Sequence, residues 1–210
     1  MSITHLDPVH PVHTPDRFGE DSPIRKVTRQ IAFEQAWDGD RAAKVAELFD
    51  NMSDTWTADH DLVDRYLPLQ DALDRGEVGS GRIVELGSGT GLGTRMLNAH
   101  FGGGVTAMDL SLGMLRNAPA DWGSRTQADS SMLPLPHAAA DVLVLVNMFL
   151  FPAEVDRVLS PGGALVWVNT MGAQTPIHLP PEDVVSALPG DWTGVASHAG
   201  FGIWAVVRRA

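Results

Sequence analysis

The sequence predicts an α/β protein built on a doubly wound, Rossmann-like sheet of seven mostly parallel strands, with an antiparallel C-terminal hairpin and an N-terminal helical cap. Helical periodicity dominates the chain before residue 80. After that point short apolar runs alternate with helical patterns, which is typical of βαβ units and a parallel sheet. The last two apolar runs are separated only by Ala199-Gly200, and this spacing indicates a hairpin.

The N-terminal part of the chain is predicted to contain two segments. Residues 1–23 are interrupted by several prolines and have little apolar periodicity, so we expect a flexible arm there. Residues 24–80 are expected to form the helical cap, because apolar residues recur at helical spacing. Two short helices are predicted on either side of residues 37–40, and a third helix over residues 61–75.

Residues 81–210 are predicted to form the domain that carries the sheet. Its strands are recognised as short apolar runs bounded by turn residues, and helical patterns fill most of the gaps between them. The predicted strands span residues 82–86, 105–109, 125–128, 141–148, 164–170, 192–198 and 201–208.

The composition limits the classes of partner. A formal net charge of −11 would repel a phosphate backbone, so nucleic acid is not expected to bind. Cysteine is absent, which excludes disulfides, a thiol nucleophile and a cysteine-bound zinc, and fits the reducing cytoplasm. No apolar run approaches the ~20 residues of a membrane-spanning helix and no signal peptide is recognisable, so we expect a cytoplasmic protein without membrane contacts. The arm histidines His5, His10 and His13 lack suitably spaced carboxylates beyond Asp7, so no metal is expected.

The most informative segment is residues 83–93, where an apolar strand runs into alternating glycines and then a helix. Such a loop lets a ligand approach the backbone, and free N–H groups at a helix start favour polar ligand groups. A dinucleotide-binding G-x-G-x-x-G would need glycine where the chain has Leu92 or Thr94, and a phosphate-binding P-loop would need Gly-Lys-Ser/Thr. A short-chain dehydrogenase would need a downstream Tyr-x-x-x-Lys, but Tyr66 lies upstream.

The pattern Glu85-x-Gly87-x-Gly89-x-Gly91 resembles the first motif of class I S-adenosylmethionine-dependent methyltransferases. Later segments resemble further motifs of this family in the family's order: a second strand ending in Asp109, an adenine-binding turn at residues 127–130, a fourth strand ending near Asn147 and a Pro-Gly-Gly corner at residues 161–163. Several motifs in one order match by chance far less often than a single loop does.

The segment before the glycine loop refines the resemblance. Residues 49–52 and Trp56 are similar to small-molecule methyltransferases of the ubiquinone-biosynthesis type. Together the matches cover roughly residues 45–170. They imply S-adenosylmethionine as the cofactor and a small-molecule acceptor that takes the methyl group by in-line displacement.

The resemblance also implies roles for single residues. Asp109 would hold the ribose hydroxyls, because a carboxylate can accept two hydrogen bonds from a diol. Asp129 would accept a hydrogen bond from the exocyclic amine of adenine. The implied cofactor-binding residues are Glu85, Gly87, Ser88, Gly89, Gly91, Asp109, Leu110, Asp129, Ser130 and Asn147.

The acceptor side is less well defined. The residues predicted to wall an apolar acceptor pocket are Trp56, Phe149 and Phe151. Many relatives carry a histidine after the fourth strand, but this chain has Asn147 there. We therefore predict His178 as the catalytic base, because loops at the carboxyl ends of parallel strands bind ligands in open α/β sheets. The other candidates are His60 and His137.

Two alternative functions stay open at this stage. The missing histidine after the fourth strand would also suit a non-catalytic module that binds S-adenosylmethionine without transferring its methyl group. A protein methyltransferase is the second alternative, since an acidic chain can still bind a protein acceptor. The sequence leaves the oligomeric state, the acceptor and the methylated atom open.

Overall fold

The computed structural model describes residues 2–14, 22–62 and 64–210. Residues 1 and 15–21 of the predicted arm lie outside the described part. The helices are α1 (Pro23–Glu34), α2 (Gly39–His60), α3 (Leu67–Arg75), α4 (Leu92–Phe101), α5 (Leu112–Asn117), α6 (Pro152–Val158) and α7 (Pro181–Ala187). The strands are β1 (Ser2–His5), β2 (Ile83–Leu86), β3 (Thr106–Asp109), β4 (Ser124–Gln127), β5 (Ala140–Val146), β6 (Leu159–Asn169), β7 (Trp192–Ala199) and β8 (Gly202–Arg209).

In the described residues, one eight-stranded sheet runs in the order β1-β7-β8-β6-β5-β2-β3-β4. The strands from β6 through β5, β2 and β3 to β4 pair in parallel, whereas β8 is antiparallel to both β6 and β7. The predicted fold class, a mostly parallel sheet with an antiparallel C-terminal hairpin, is confirmed. The strand count is eight and not seven.

The additional strand comes from the predicted flexible arm. Ser2–His5 pairs in parallel with β7, and Ile3 lies opposite Gly194. Further along, the backbone of His13 donates to the carbonyl of Gly200 at 2.8 Å. The flexible arm is therefore corrected for residues 2–14, because the outer edge of β7 offers backbone groups that this segment satisfies. The division into arm, cap and sheet domain otherwise stays a prediction.

The helical cap follows the predicted order with different lengths. Asp38 caps α2 by accepting a hydrogen bond from the backbone N–H of Arg41 at 2.8 Å. From there α2 continues to His60, well beyond the short helix that the sequence predicted. The third helix begins at Leu67, six residues later than predicted, with Pro68 in its first turn, where proline is favoured.

The core consists of two apolar layers on opposite faces of the sheet. Side chains of β5 alternate between them, so Leu143 and Leu145 pack on the side of α6 and α7, while Val142 and Val144 pack on the side of α3 and α4. Burial on both faces explains why β5 is a continuous apolar run. Among the described helices, none is both long and apolar enough to cross a membrane.

Candidate active site at the carboxyl ends of the strands

A cavity of about 570 Å³ lies where β2, β3 and β5 end, beneath the cap helices α1 and α2. This volume is typical of small-molecule sites. Nine of the ten predicted cofactor-binding residues line it: Glu85, Gly87, Ser88, Gly89, Asp109, Leu110, Asp129, Ser130 and Asn147. The tenth, Gly91, lies behind the loop as the residue that precedes α4. The fold thus brings the predicted set to one place, while their roles toward a cofactor stay predictions.

The glycine loop owes its path to left-handed backbone conformations. Gly87, Gly89 and Gly91 have φ angles of 71°, 56° and 87°, which side chains with a Cβ rarely adopt. At Gly87 the space is also restricted, because a Cβ there would lie 2.5 Å from the sulfur of Met148. The loop can therefore turn tightly under the cavity and expose its backbone to it.

Glu85 lies beneath this loop and is buried. Its carboxyl group accepts a hydrogen bond from the Thr94 hydroxyl on α4. Burial is the main cause that raises the pKa of Glu85 to about 8, although the bond from Thr94 lowers it. A Cβ at Gly93 would collide with the carboxyl group of Glu85. No pattern in the sequence indicates this close approach of Gly93 to Glu85, because it arises only when α4 packs against β2.

Asp109 ends β3 and faces the loop. One carboxylate oxygen accepts from the backbone N–H of Gly89 at 2.7 Å, and the other accepts from the backbone N–H of Ser111 at 2.8 Å. Burial raises the pKa of Asp109, and these backbone donors oppose the rise. The carboxylate is thus held rigidly at the cavity wall, with lone pairs left for further donors.

Asp129 also lines the cavity, but its carboxylate contacts the cap. The indole N–H of Trp37 lies 3.0 and 3.1 Å from its two oxygens, and the backbone N–H of Ser131 donates to one of them at 2.8 Å. The ring of Trp37 packs edge-on against Phe151, with centroids 5.2 Å apart. No pattern in the sequence indicates this contact, because Trp37 and Asp129 are 92 residues apart.

Residues 84–167 match the family model described as a methyltransferase domain. The matched residues lie within the predicted sheet domain, and the match agrees with the enzyme class that the motifs imply. S-adenosylmethionine stays the expected cofactor. The ubiquinone-biosynthesis subtype stays a prediction.

Solved structures agree with this fold. An S-adenosylmethionine-dependent methyltransferase from Thermotoga maritima superposes with a TM-score of 0.60 and 16% identity, over 79% of this chain and 99% of its own. A protein from Methanococcus maripaludis assigned to the same class gives 0.55 and 18%, over 80% and 93%.

One further solved structure is more similar in sequence. A protein from Haloferax volcanii assigned as a methyltransferase, in complex with the Trm112 methyltransferase activator, gives a TM-score of 0.50 and 26% identity. The match covers 59% of this chain, and this chain spans only 59% of that relative. None of the curated proteins matches the sequence significantly.

Asn147 joins two strand ends beside the cavity. Its amide donates to the Thr170 hydroxyl at 2.8 Å and accepts from the Thr170 backbone N–H at 2.9 Å. Its φ angle of 50° is in the left-handed region, which asparagine tolerates better than most residues. Asn147 therefore fixes the ends of β5 and β6 at the cavity wall.

Much of the remaining cavity wall is formed by rings and thioethers. Trp56, Phe149 and Phe151 are part of it, while their role toward an acceptor stays a prediction. Methionines from both the cap and the sheet contribute as well: Met52, Met114, Met148 and Met171. Arg65 adds a cationic side chain to the lining. Among the described residues, no group of three or more histidines and carboxylates is placed to hold a metal ion.

His178 is not among the described residues that line the cavity. Its side chain is buried, and Nδ1 lies 2.8 Å from the side-chain oxygen of Asn169. Burial lowers the pKa of His178 to about 4. The residues before it in the same loop, Thr175, Pro176 and Ile177, line the cavity. The hydrogen bond to Asn169 holds the buried side chain of His178 away from this lining, and its role as a base stays a prediction.

A different histidine, at the end of a cap helix, does line the cavity. His60, at the end of α2, stacks on Trp56 with ring centroids 3.8 Å apart. The sequence analysis retained His60 only as a secondary candidate. The spacing of four residues, which places two side chains on one face of a helix, was the available signal.

Proposed function

We propose that this protein is an S-adenosylmethionine-dependent methyltransferase that transfers the methyl group to a small-molecule acceptor by in-line displacement. The observation that carries the proposal is a single cavity whose wall combines the glycine-loop residues and Asp109 with an apolar lining from the cap. A transferase needs both ligands in one enclosed space, because the acceptor atom must approach the methyl carbon in line.

The lining residues fit the chemistry of the cofactor. Asp109 offers a fixed carboxylate for the ribose hydroxyls, and Asp129 offers one for the adenine amine. Arg65 supplies a positive charge that would suit the carboxylate of the methionine part. Bound there, the cofactor would supply a methyl group on a positively charged sulfur.

The chain's own residues would orient the acceptor and exclude water. In-line displacement needs no covalent nucleophile, so positioning and desolvation are the main tasks of the protein. The rings of Phe149 and Phe151 both pack on the ring of Trp37 at the cavity wall. Such a wall favours a flat apolar molecule over a hydrated one.

A small acceptor is favoured over a protein acceptor because the cap helices supply much of the wall. Trp37, Phe49 and Trp56 all come from the cap segments and face the cavity, so an acceptor has to fit between the cap and the sheet. We keep a cytoplasmic location within the proposal, since the chain lacks cysteine. The resemblance to the ubiquinone-biosynthesis type is likewise kept as a proposal.

Binding and turnover test the proposal separately. Calorimetry with S-adenosylmethionine and S-adenosylhomocysteine should show saturable binding of both, and a metabolite screen should reveal acceptor-dependent formation of S-adenosylhomocysteine. Binding without any turnover would favour the non-catalytic alternative, which the asparagine in place of the usual histidine motivates. Binding of neither compound would contradict the proposal.

A further inference from the structure

Tyr66 lines the cavity from the turn that precedes α3. Its ring packs against the apolar cluster on the α3 and α4 side of the sheet, which includes Leu69, Leu97 and Val146. Within the part of the chain that the structure describes, its hydroxyl has no hydrogen-bond partner. Polar groups in such surroundings are normally hydrogen-bonded, so this hydroxyl is suited to contact a ligand in the cavity.

The hydroxyl of Tyr66 is available as a hydrogen-bond donor. Burial raises its pKa, and the nearby Glu85 acts in the same direction, so the phenol keeps its proton at neutral pH. Glu85 itself has a pKa of about 8 and already accepts from the Thr94 hydroxyl. The strongest partner for a neutral O–H donor is an ionised acceptor, because the hydrogen bond is then charge-assisted.

The strand order shows which end of the cavity Tyr66 occupies. Neighbouring strands follow the order β5-β2-β3-β4, and the proposed ribose and adenine partners, Asp109 and Asp129, come at the ends of β3 and β4. Tyr66 lies instead near Glu85 of β2 and packs on the cluster that contains Val146, the last residue of β5. With about 4.8 Å between strands, a cofactor whose adenosine lies over β3 and β4 extends its methionine part toward Tyr66.

The apolar wall proposed for the acceptor belongs to a different cluster. Phe149 and Phe151 pack with Ile31 of α1 and with Ile177, and Tyr66 is not among the residues of that cluster. The methionine part carries one anionic group, its carboxylate, and one ammonium group. An O–H donor suits the carboxylate, because an ammonium group needs an acceptor.

We propose that the hydroxyl of Tyr66 donates a hydrogen bond to the carboxylate of the cofactor's methionine part and makes the site specific for ligands that carry this carboxylate. The inference rests on the proposed methyl transfer. Arg65, the preceding residue, lines the same cavity, and its charge suits the same carboxylate. Fixing the carboxylate holds the methionine chain, and this sets the direction in which the sulfur presents its methyl group to the acceptor.

Two ligands that differ only in the carboxylate test this contact. In calorimetry on the full chain, Tyr66→Phe should raise the Kd of S-adenosylhomocysteine at least about tenfold, because a hydrogen bond to a charged group is lost. The Kd of decarboxylated S-adenosylhomocysteine should change by less than about twofold, since phenylalanine keeps the ring in place. Thr193→Val, which removes an exposed hydroxyl from β7, is the matched control and should bind both ligands as the wild type does.

A second measurement does not depend on the affinity of the decarboxylated ligand. When S-adenosylhomocysteine carries an isotopic label at its carboxylate carbon, Tyr66→Phe should shift the NMR resonance of the bound label, whereas Thr193→Val should leave it in place. An unchanged Kd of S-adenosylhomocysteine, equal weakening of both ligands or an unshifted resonance would overturn the role of Tyr66. Absence of S-adenosylhomocysteine binding to the wild type would instead contradict the proposed function as a whole.

Discussion

The two halves of the cavity are built differently. In the sheet-borne half, Asp109 bonds to backbone N–H groups of Gly89 and Ser111 in adjacent strand-end loops. In the cap-borne half, the ring of Trp37 packs against Phe151 of the sheet domain, 114 residues away in sequence, without a polar bond between them. The first half is a preorganised polar cradle that local sequence determines, whereas the second is an apolar surface whose shape depends on tertiary packing.

Carboxylates join the two halves. Asp129 of the sheet-borne half accepts from Trp37 of the cap. In the reverse direction, Asp50 of α2 accepts from the backbone N–H of Gly113 at 2.8 Å and from the hydroxyl of Ser111. Acceptance from Ser111 is the main cause that lowers the pKa of Asp50. Changes at single residues can therefore separate what each half contributes.

Asp109→Ala should give the largest effect, because it disrupts the polar cradle itself. Two backbone N–H groups would lose their acceptor, each at about 1 to 3 kcal/mol. We expect the free energy of unfolding in urea to fall by about 2 to 4 kcal/mol. Without its proposed ribose partner, the Kd of S-adenosylhomocysteine should rise by at least about 100-fold in calorimetry.

A surface aspartate provides the matched control for Asp109→Ala. Asp156 pairs with Arg209 at the protein surface, so Asp156→Ala should cost at most about 1 kcal/mol and leave cofactor affinity unchanged. If Asp109→Ala bound S-adenosylhomocysteine as tightly as the wild type, the ribose assignment would be wrong.

Glu85 should make the cradle sensitive to pH. Its pKa is raised by burial to about 8, above the value in the unfolded chain. The folded protein then holds a proton that the unfolded chain has released, so stability falls as pH rises toward 8. Between pH 6.5 and 8 we expect the cofactor-free protein to lose about 1 to 2 kcal/mol of unfolding free energy.

The neutral analogue isolates this contribution. Glu85→Gln should largely abolish the slope between pH 6.5 and 8 in urea titrations, since glutamine does not ionise. His178 acts below this window, because its pKa is lowered to about 4 and its effect is complete near its unfolded value of 6.5. A variant with an undiminished slope would show that another group causes the loss.

The same contrast explains what the sequence could predict. The cradle was predictable because its parts are close in sequence: Asp109 and Ser111 are two residues apart, and the glycines follow β2 directly. The mostly parallel sheet followed from the alternation of apolar runs and helical patterns, whereas its strand order is known only from the structure. Nine of ten predicted cofactor-side residues line the cavity for that reason.

Features that depend on distant partners were not predictable. β1 has only four residues and pairs with β7 near the opposite end of the chain, so its pattern is too short to indicate a strand. His178 is in a loop of the predicted kind, but Asn169 determines the direction of its side chain. Trp37 has no sequence signal that would connect it with Asp129.

Trp37→Phe should have a smaller effect, and it should increase the affinity for S-adenosylhomocysteine. The indole N–H bonds to the carboxylate that the adenine amine is proposed to use, so removing that donor should favour the ligand. We expect S-adenosylhomocysteine to bind about three- to tenfold more tightly. This gain in binding free energy is only part of the roughly 1.5 to 3 kcal/mol that a hydrogen bond to a charged group contributes. Weaker binding in calorimetry would indicate that the indole is itself part of the adenine site.

His178→Gln should give the smallest effect, because the side chain lies behind the cavity wall. Nδ1 of His178 donates to the side-chain oxygen of Asn169, whose amide donates to the carbonyl of Ile177 at 2.9 Å. Glutamine can replace the donor, so unfolding free energy should change by less than about 1 kcal/mol and cofactor affinity by less than about twofold. Since β6 and the loop after it keep their hydrogen bonds, turnover of any accepted small molecule should be retained. Loss of turnover with normal folding and cofactor binding would show that His178 acts in catalysis although its side chain lies behind the cavity wall.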